Sequence, residues 1–296
     1  MNAFLIAWRA SRVLPVSVIR GAVAAISWWG WVTRSKAVRR LEDNLHRLTG
    51  IEGGELRRLS RTSMASTARY YAETLELSRM SPEQVDARVR MDGYEPTRAV
   101  LERDGRVVIA LAHSGNWDLV GAFTCRNVAR VTAVAEKLKP QEVFDQFVAV
   151  REQWGMNIIG YEGSSTFRTL VGAAKREGGV LALVADRDLS GAGIEVEFGG
   201  HAARVAPGPA AVALAVGCSV QPLFVRYEAL TGERKRAAGS KWGVVMEFGP
   251  FIEPPATGTN AEKVEAMTRA WGAWLGEEIR KHPEDWHMLQ RFGWVD

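Results

Sequence analysis

The 296-residue sequence predicts an α/β fold, a mostly parallel central sheet flanked by helices, with amphipathic helices at the N-terminus. Two observations predict it. From about residue 91 onward, short apolar runs rich in β-branched residues alternate with stretches that carry apolar residues at helical spacing, as in parallel sheets covered on both faces. Residues 1–90 show helical spacing instead. We therefore expect a single domain, with a helical N-terminal part over 1–90 and an α/β core over 91–296.

The composition is that of a folded globular protein, with 47% hydrophobic and 24% charged residues. The two cysteines, Cys125 and Cys218, predict neither a disulfide framework nor a cysteine-rich metal site, and they favour a reducing compartment. The net charge is +4, yet the first 70 residues hold 12 Lys and Arg against 4 Asp and Glu. A basic segment interleaved with Trp and Leu, without a nucleic-acid-binding signature, favours an anionic membrane surface over nucleic acid.

Residues 1–34 combine charged and apolar residues at helical spacing. Six polar residues fall on one arc of a helical wheel, opposite Trp, Leu, Ile, Val and Ala: Asn2, Arg9, Arg12, Arg20, Ser27 and Arg34. The arginines interrupt every apolar run, so neither a membrane span nor a signal peptide is predicted. Pro15 should divide the segment into two helices, the second ending in Trp28-Trp29-Gly30-Trp31. The segment is predicted either to lie on a membrane or to pack on the protein's own domain.

The remaining elements follow from spacing and from turn residues. Further helices are predicted over 35–48, 55–77, a short stretch from Pro82, 116–128, 140–154, 164–177, 207–216 and 260–281. Strands are predicted over 106–112, 131–136, 156–161, 180–185 and 218–227, with the core starting at Met91-Asp-Gly93. Residues 194–198 alternate like a half-exposed strand before a turn at Gly199-Gly200, and 241–252 add a strand after a Gly- and Arg-rich loop.

The stretch Leu111-Ala-His-Ser-Gly-Asn-Trp-Asp118 joins a buried strand to a helix. His113 therefore lies at the carboxyl edge of the sheet, where ligand sites gather. Asp118 is predicted to orient one imidazole nitrogen so that the other can act as a general base. Ser114 is the predicted N-cap, and N–H groups near Ser114 to Asn116 are predicted to face a developing negative charge. The alternative is that His113 merely ends a strand and Asp118 merely caps a helix.

Other charged and aromatic residues follow strands that end at the same edge. Asp186 and Arg187 follow the strand at 180–185, and they are predicted to assist the dyad or bind a sugar, or else only to pair with each other. Glu136, Lys137 and Arg151 suit hydroxyl-rich, phosphate-bearing ligands, or form a surface cluster of ion pairs. The last helix is followed by Asp285, Trp286 and His287. Trp286 is predicted to stack on a sugar face, or else to be plain packing.

The sequence has no zinc spacing, no Walker loop and no G-x-G-x-x-G, so no metal and no nucleotide cofactor is predicted. It also lacks a G-x-S-x-G elbow, and Ser114 is poorly placed as a nucleophile. A covalent intermediate on Ser114 is therefore not expected.

His113-x4-Asp118 with the fill Ser-Gly-Asn-Trp resembles the glycerolipid and lipid A acyltransferases, and among them the phosphatidylinositol mannoside acyltransferases of actinobacteria. The resemblance covers nearly the whole chain and includes these further motifs: Val134-Ala-Glu-Lys-Leu-Lys-Pro140, Arg151, Ala185-Asp-Arg-Asp-Leu189, Pro207-Gly-Pro-Ala210 and Asp285-Trp-His-Met-Leu-Gln290. One position departs from the pattern, because Asp186 stands where the family has a functional Glu.

The resemblance implies a peripheral enzyme at the cytoplasmic face of the cell membrane. It would transfer a long, palmitoyl-type acyl chain from acyl-CoA, as donor substrate, to a mannose hydroxyl of a phosphatidylinositol mannoside. His113 would be the general base, Asp118 its orienting partner and Asp186 a further functional carboxylate. Three alternatives remain open: a lipid A-type acyltransferase, an acyl-thioester hydrolase, and a non-catalytic membrane-binding module.

Overall fold

The computed structural model describes residues 8, 13–137, 139–188 and 191–295. Its helices are α1 (Val16–Val32), α2 (Lys36–Thr49), α3 (Gly53–Glu76), α4 (Pro82–Arg88), α5 (Glu95–Asp104), α6 (Trp117–Asn127), α7 (Gln141–Gln153), α8 (Ser164–Glu177), α9 (Gly208–Val216), α10 (Gly232–Ala238) and α11 (Asn260–Lys281). Its strands are β1 (Val89–Asp92), β2 (Arg106–Leu111), β3 (Val131–Ala135), β4 (Asn157–Gly160), β5 (Gly179–Val184), β6 (Ile194–Phe198), β7 (His201–Val205), β8 (Val220–Ala229) and β9 (Trp242–Phe248).

Seven strands form the central sheet in the order β1-β9-β8-β2-β5-β3-β4. The five from β8 to β4 are parallel to one another, whereas β9 runs antiparallel to β8 and parallel to β1. The prediction of a mostly parallel sheet flanked by helices is confirmed. β6 and β7 form a separate antiparallel hairpin, and the turn predicted at Gly199-Gly200 joins them.

Successive side chains of a strand point to opposite faces, so each parallel strand contributes to two cores. Val108 and Ala110 of β2 pack in one core with Trp271 and Leu275 of α11. The intervening Ile109 belongs to a second core, which includes residues of α6. Burial on both faces explains why these strands read as continuous apolar runs rather than as an alternation.

Several local expectations were wrong. Residues 232–238 form α10, although the Gly- and Arg-rich stretch there was expected to be a loop. Helix α5, which begins at Glu95-Pro96 and ends at Gly105 with positive φ, was not predicted at all. The N-cap of α6 is Asn116 rather than Ser114, because the Asn116 side chain accepts the N–H of Leu119 at 2.9 Å. The sharp turn after β2 is completed first, and the helix starts two residues later than Ser114 would require.

Helix α1 packs against α3 through its polar arc. The guanidinium of Arg20 donates to both carboxylate oxygens of Glu76, at 2.8 and 2.6 Å, and Ser27 Oγ donates to the carbonyl of Met64 at 2.7 Å. Beyond the end of α1, Arg34 donates to Glu42 at 2.9 Å. Arg20 and Arg34 of the predicted polar arc thus form ion pairs within the protein, as expected for the alternative that the segment packs on its own domain.

The opposite face of α1 is apolar and points outward. It exposes these large hydrophobic side chains: Val18, Ile26, Trp28, Trp29 and Val32. Asn2, Arg9 and Arg12 of the predicted polar arc lie outside the described residues. Among the helices that the structure describes, none is both long and apolar enough to cross a membrane.

Candidate active site

The sheet topology brings His113 and Asp186 together. β2 and β5 are neighbouring parallel strands, and Leu111 at the end of β2 pairs in register with Val184 at the end of β5. His113 and Asp186 each follow their paired strand residue by two positions, so they leave the same edge of the sheet side by side. This placement agrees with the prediction that both residues project from the carboxyl edge.

Asp186 holds the imidazole of His113. Its Oδ1 lies 2.6 Å from His113 Nδ1, and its Oδ2 accepts the backbone N–H of His113 at 3.0 Å. A carboxylate against Nδ1 fixes the tautomer that carries its proton there, so Nε2 keeps a lone pair. The side chain of His113 is 33% exposed while that of Asp186 is fully buried. This arrangement suits a general base that meets its substrate at Nε2.

The carboxylate of Asp186 keeps its charge in spite of its burial. Burial alone raises the pKa of a carboxyl, but His113 and the hydrogen bonds from the His113 ring, the Trp286 indole and the His113 backbone hold the pKa of Asp186 below its ordinary value. Trp286 Nε1 donates to Oδ2 at 3.0 Å. The imidazole itself packs edge-on against the ring of Trp117, with 5.8 Å between ring centroids.

The predicted contact between Asp118 and His113 is wrong. Asp118 Oδ1 accepts from Arg151 Nε at 2.7 Å, and Oδ2 accepts from Tyr70 at 3.1 Å and from Thr74 at 3.4 Å. Asp118 lies in the first turn of α6, and its side chain faces α3 and α7 rather than the imidazole of His113. The local five-residue spacing therefore misled, and the partner of His113 comes from 73 residues further along the chain.

Arg151 and Tyr70 form a buried polar cluster around Asp118. The side chains of Asp118 and Arg151 are 3% and 16% exposed. Burial, followed by the charge of Asp118, raises the pKa of Tyr70 well above its ordinary value, so its hydroxyl stays a donor. Tyr70 was not predicted from the sequence. A tyrosine within an amphipathic helix looks like a core residue, and only its tertiary neighbours reveal its polar role.

Ser114 and Asn116 do not face the open site. Both are buried, and the N–H groups of Ser114 and Gly115 donate to the carbonyls of Ala112 and Asp285, at 2.8 and 3.0 Å. These two N–H groups are therefore not free to hold a developing oxyanion, contrary to the prediction. Gly115 is required here, because its φ is +54° and an added Cβ would lie 2.6 Å from the carbonyl oxygen of Val225.

Glu136, Lys137 and Arg187 follow strands that end at the carboxyl edge of the sheet, and they take part in two ion pairs. Arg187 donates to Glu136 at 2.6 Å, and Lys137 pairs with Glu162. Arg187 therefore pairs with Glu136 rather than with Asp186. Both Glu136 and Arg187 line the cavity described below.

The segment after α11 closes the site from behind. Asp285 accepts from Ser66 Oγ at 2.6 Å and from the Tyr227 N–H at 2.7 Å. Trp286 is completely buried, and its ring packs against Phe198 and Phe292. The predicted contacts of Asp285 and Trp286 with substrate are wrong, because neither side chain is accessible.

His287 is the member of this segment that lines the cavity. Its backbone N–H donates to the carbonyl of His113 at 2.7 Å, and its Nε2 lies 3.0 Å from Ser66 Oγ. Because Ser66 donates its own proton to Asp285, His287 must donate through Nε2. Burial, with the charges of Arg69 and His113, lowers the pKa of His287 to about 3. The ring is therefore neutral at physiological pH.

A large apolar cavity of about 600 Å³ opens beside His113. The cavity extends along both faces of the sheet, because the successive β5 residues Ala182 and Leu183 point to opposite faces and both line it. On the face of Ala182 the lining includes Val120 of α6, and on the face of Leu183 it includes Val212 of α9. The volume lies within the range of small-molecule sites, and an apolar wall with few polar groups suits an aliphatic ligand. His113, Asp118, Arg151 and Arg187 supply polar groups at this lining.

Comparison with known proteins assigns the family. The model of the bacterial lipid A biosynthesis acyltransferases matches residues 2–292. A phosphatidylinositol mannoside acyltransferase of Mycolicibacterium smegmatis is 31% identical over 288 residues, which cover 96% of this chain and 88% of that protein. Proteins of the same name from two strains of Mycobacterium tuberculosis are each 30% identical over 293 residues, covering 97% of this chain and 86% of theirs.

The family assignment agrees with the site. A histidine held by a buried carboxylate at the mouth of an apolar cavity suits acyl transfer to a hydroxyl, in which a general base takes up the proton of the acceptor. The resemblance predicted from the sequence motifs is confirmed over almost the whole chain. The chain belongs to the bacterial lipid A biosynthesis acyltransferase family.

Proposed function

We propose that this protein transfers a long acyl chain from acyl-CoA to a mannose hydroxyl of a phosphatidylinositol mannoside. One observation carries the proposal: His113 Nε2 faces the apolar cavity while Asp186 fixes the proton on Nδ1. The acceptor is inferred from the names of the relatives, all of which are phosphatidylinositol mannoside acyltransferases.

The reaction needs one base and no covalent enzyme intermediate. The acceptor hydroxyl gives its proton to His113 Nε2 while its oxygen attacks the carbonyl carbon of the thioester. The tetrahedral intermediate then loses the sulfur, and the CoA thiolate takes the proton back from Nε2. Asp186 stays ionised and stabilises the imidazolium between these two steps.

The polar groups at the mouth of the cavity are assigned to the acceptor. Glu136 and Arg187 present a carboxylate and a guanidinium that can bind sugar hydroxyls and a phosphate. Lys137, the next residue after Glu136, adds a second cation beside the cavity, and His287 lines the cavity with part of its ring. Asp118 acts indirectly, since it positions Arg151 at the wall of the cavity. No metal or organic cofactor has a role in this scheme.

We assign the outward apolar face of α1 to the membrane that holds the lipid acceptor. Trp28 and Trp29 are 55% and 64% exposed, and tryptophan is the residue type that settles at the level of lipid headgroups. The contact is peripheral. It belongs to the cytoplasmic face, because acyl-CoA is a cytoplasmic metabolite.

The deciding experiment is mass spectrometry of the products formed from palmitoyl-CoA with phosphatidylinositol mannoside, with a lipid A precursor, and with no acceptor. The proposal expects acylated phosphatidylinositol mannoside, and loss of this product in His113→Ala. Turnover of palmitoyl-CoA at the same rate without an acceptor would identify a hydrolase. Selective acylation of the lipid A precursor would reassign the acceptor, and absence of turnover with every acceptor would support a non-catalytic membrane module.

A further inference from the structure

A second cavity lies on the other side of α3 from the catalytic one. It has a volume of about 450 Å³ and is enclosed by α1, by α3 and by the chain that enters β9. Thr67, Tyr70 and Tyr71 of α3 line the catalytic cavity, whereas Ala65, Ala68 and Ala72 line the second one. Helix α3 is therefore a shared wall, and its alanines leave the space that larger side chains would fill.

Three cations line this second cavity without forming an ion pair. Within the described part of the chain, Arg61, Arg69 and Lys241 have no carboxylate oxygen within 4.0 Å. The other charges that line the cavity are neutralised: Arg20 pairs with Glu76, and Glu73 pairs with Arg88. The cavity therefore carries a net positive charge, which favours an anionic occupant.

One of the three cations, Arg69, is held in place by aromatic rings. The guanidinium of Arg69 lies 3.8 Å from the ring centroid of Trp242 and 4.4 Å from that of Tyr227. The guanidinium of Arg61 lies farther from a ring, at 5.9 Å from that of Trp31, on which Arg57 stacks at 4.1 Å. Stacking on a ring face fixes the plane of a guanidinium and leaves its N–H groups free at the edge, where they can bind phosphate oxygens in two-pronged fashion.

The border of the cavity is apolar where α1 forms it. Trp28 lines the cavity and is also more than half exposed, next to the outward side chains Trp29 and Ile26. A ligand that fits both features has an anionic head for the cations and an apolar body beside the tryptophans. A free phosphate satisfies only the first of these features.

We propose that the second cavity binds the phosphodiester headgroup of an anionic phospholipid of the bilayer. The lipid would place its phosphate among Arg61, Arg69 and Lys241 and its acyl chains along the exposed face of α1. The proposal rests on the membrane contact assigned above, but it does not depend on the identity of the acyl donor or acceptor. It makes the protein selective for phosphate-bearing lipids rather than for negative charge in general.

The test compares binding of the 296-residue chain to three kinds of vesicle. The first is phosphatidylcholine alone, and the second contains about a third phosphatidylglycerol. The third has the same surface charge but carries cholesteryl hemisuccinate, an anionic amphiphile without phosphate. The variant is Arg61→Gln with Lys241→Gln, since both side chains are exposed and their loss leaves the fold intact. The charge-matched control is Arg58→Gln with Lys235→Gln, two exposed residues outside the cavity. Arg69 is left unchanged because its stacking contributes to packing.

We expect the cavity variant to bind phosphatidylglycerol vesicles roughly 30-fold more weakly, because each basic residue held at an anionic surface contributes about a fivefold factor. The control variant should stay within about threefold of wild type, and the wild-type protein should prefer phosphatidylglycerol to hemisuccinate vesicles. Both variants should bind pure phosphatidylcholine as the wild type does, through the unchanged apolar face of α1.

Equal losses in the cavity and control variants would overturn the proposal, since they would indicate diffuse charge attraction. The proposal would also be overturned if the cavity variant kept its vesicle affinity but showed a raised KM for the glycolipid acceptor in detergent micelles. That result would assign the cations to the phosphate of the acceptor. Failure of the wild type to bind any vesicle would overturn the membrane contact as well, whereas acyl transfer in micelles would still stand.

Discussion

Trp286 and the backbone of His113 donate to the same oxygen of Asp186, Oδ2, which leaves Oδ1 for the imidazole. Two donors on one oxygen determine which way an amide at this position would turn. In Asp186→Asn the amide oxygen must take the Oδ2 site, so the NH₂ group faces His113 Nδ1. The ring must then accept at Nδ1 and carry its proton on Nε2, where it can no longer act as a base.

Asp186→Asn should therefore lower kcat by roughly 10³–10⁴-fold without loss of the fold, since a general base in the wrong tautomer is inactive. Asp186→Glu keeps the charge and the acceptor atoms and should retain far more activity. The matched control combines Trp286→Phe with Asp186→Asn. Because Trp286→Phe removes one of the two donors to Oδ2, it should partly restore the kcat of the asparagine variant. An asparagine variant with a wild-type kcat in steady-state assays would exclude the orienting role of Asp186.

Asp118 should matter for stability before it matters for chemistry. Asp118→Ala leaves the buried Arg151 without its carboxylate and should lower the free energy of unfolding by about 3 kcal/mol, as measured by urea denaturation. Adding Arg151→Met should restore part of that loss, and the double-mutant cycle gives the pair energy. If Asp118→Ala is as stable as the wild type and yet inactive, Asp118 acts on the reaction itself.

Ala182 offers a way to measure the path of the acyl chain. It faces the catalytic cavity from the middle of β5, so Ala182→Phe should block the inner part of the cavity. We expect kcat/KM for palmitoyl-CoA to fall roughly 10–100-fold while that for short acyl-CoA changes little, because pocket length discriminates by contact with distal methylenes. Ala182→Val is the size control. Equal losses for short and long donors would place the chain elsewhere.

The exposed face of α1 can be tested without touching any charge. Ile26→Ser with Trp29→Ser removes two exposed apolar side chains and should weaken binding to phosphatidylcholine vesicles roughly tenfold or more, as expected for losing their partial burial in lipid. The melting temperature should not change, since neither side chain is buried in the protein. Wild-type sedimentation with vesicles in this variant would contradict the assignment of α1 to the membrane.

His287 should make the protein less stable in acid. Its folded pKa is about 3 whereas the ordinary value is 6.5, so the unfolded chain takes up a proton between these limits that the folded protein does not. Stability from this group is complete above pH 6.5 and is lost as the pH falls, by about 2 kcal/mol between pH 7 and pH 5. The depressed pKa of Asp186 acts in the same direction but at lower pH. Burial raises the pKa of Asp285, which acts with the opposite sign.

The measurement compares the acid-induced loss of unfolding free energy in His287→Gln with that in the wild type. Taking the difference cancels the contributions of Asp186 and Asp285, which both proteins share. Urea unfolding at the two pH values should show a smaller acid loss in the variant, by about 2 kcal/mol. Identical losses would mean that His287 is protonated in the folded protein.

Spacing and local chemistry were enough to locate most of the strands, the carboxyl edge and His113. They were not enough to choose between Asp118 and Asp186 as the partner of His113, because strand order cannot be read from spacing. In the sheet β2 lies between β5 and β8, which follow it in the chain only after five and nine other helices and strands. Only the folded topology therefore places Asp186 beside His113. Long-range burial likewise removed Ser114, Asn116 and Trp286 from the accessible site.

Helix α1 was the other element that the pattern could not settle. The sequence correctly predicted a polar arc opposite an apolar face, but a helical wheel does not show which of the two faces the protein. The structure turns the polar arc inward, because Glu76 and the carbonyl of Met64 offer partners that water would otherwise supply. These partners lie on α3, more than thirty residues after α1 in the chain, so the local sequence pattern cannot predict them.

The inward polar arc also bears on the entropy of association. Many amphipathic segments are disordered in solution and fold only when they meet a lipid or a partner, and ordering them subtracts from the affinity. Here Arg20 and Ser27 fasten α1 to α3 in the free protein, so the helix is already formed and oriented before any encounter. The surface that it presents is preorganised, and its angle to the mouth of the catalytic cavity is fixed by folding rather than by docking.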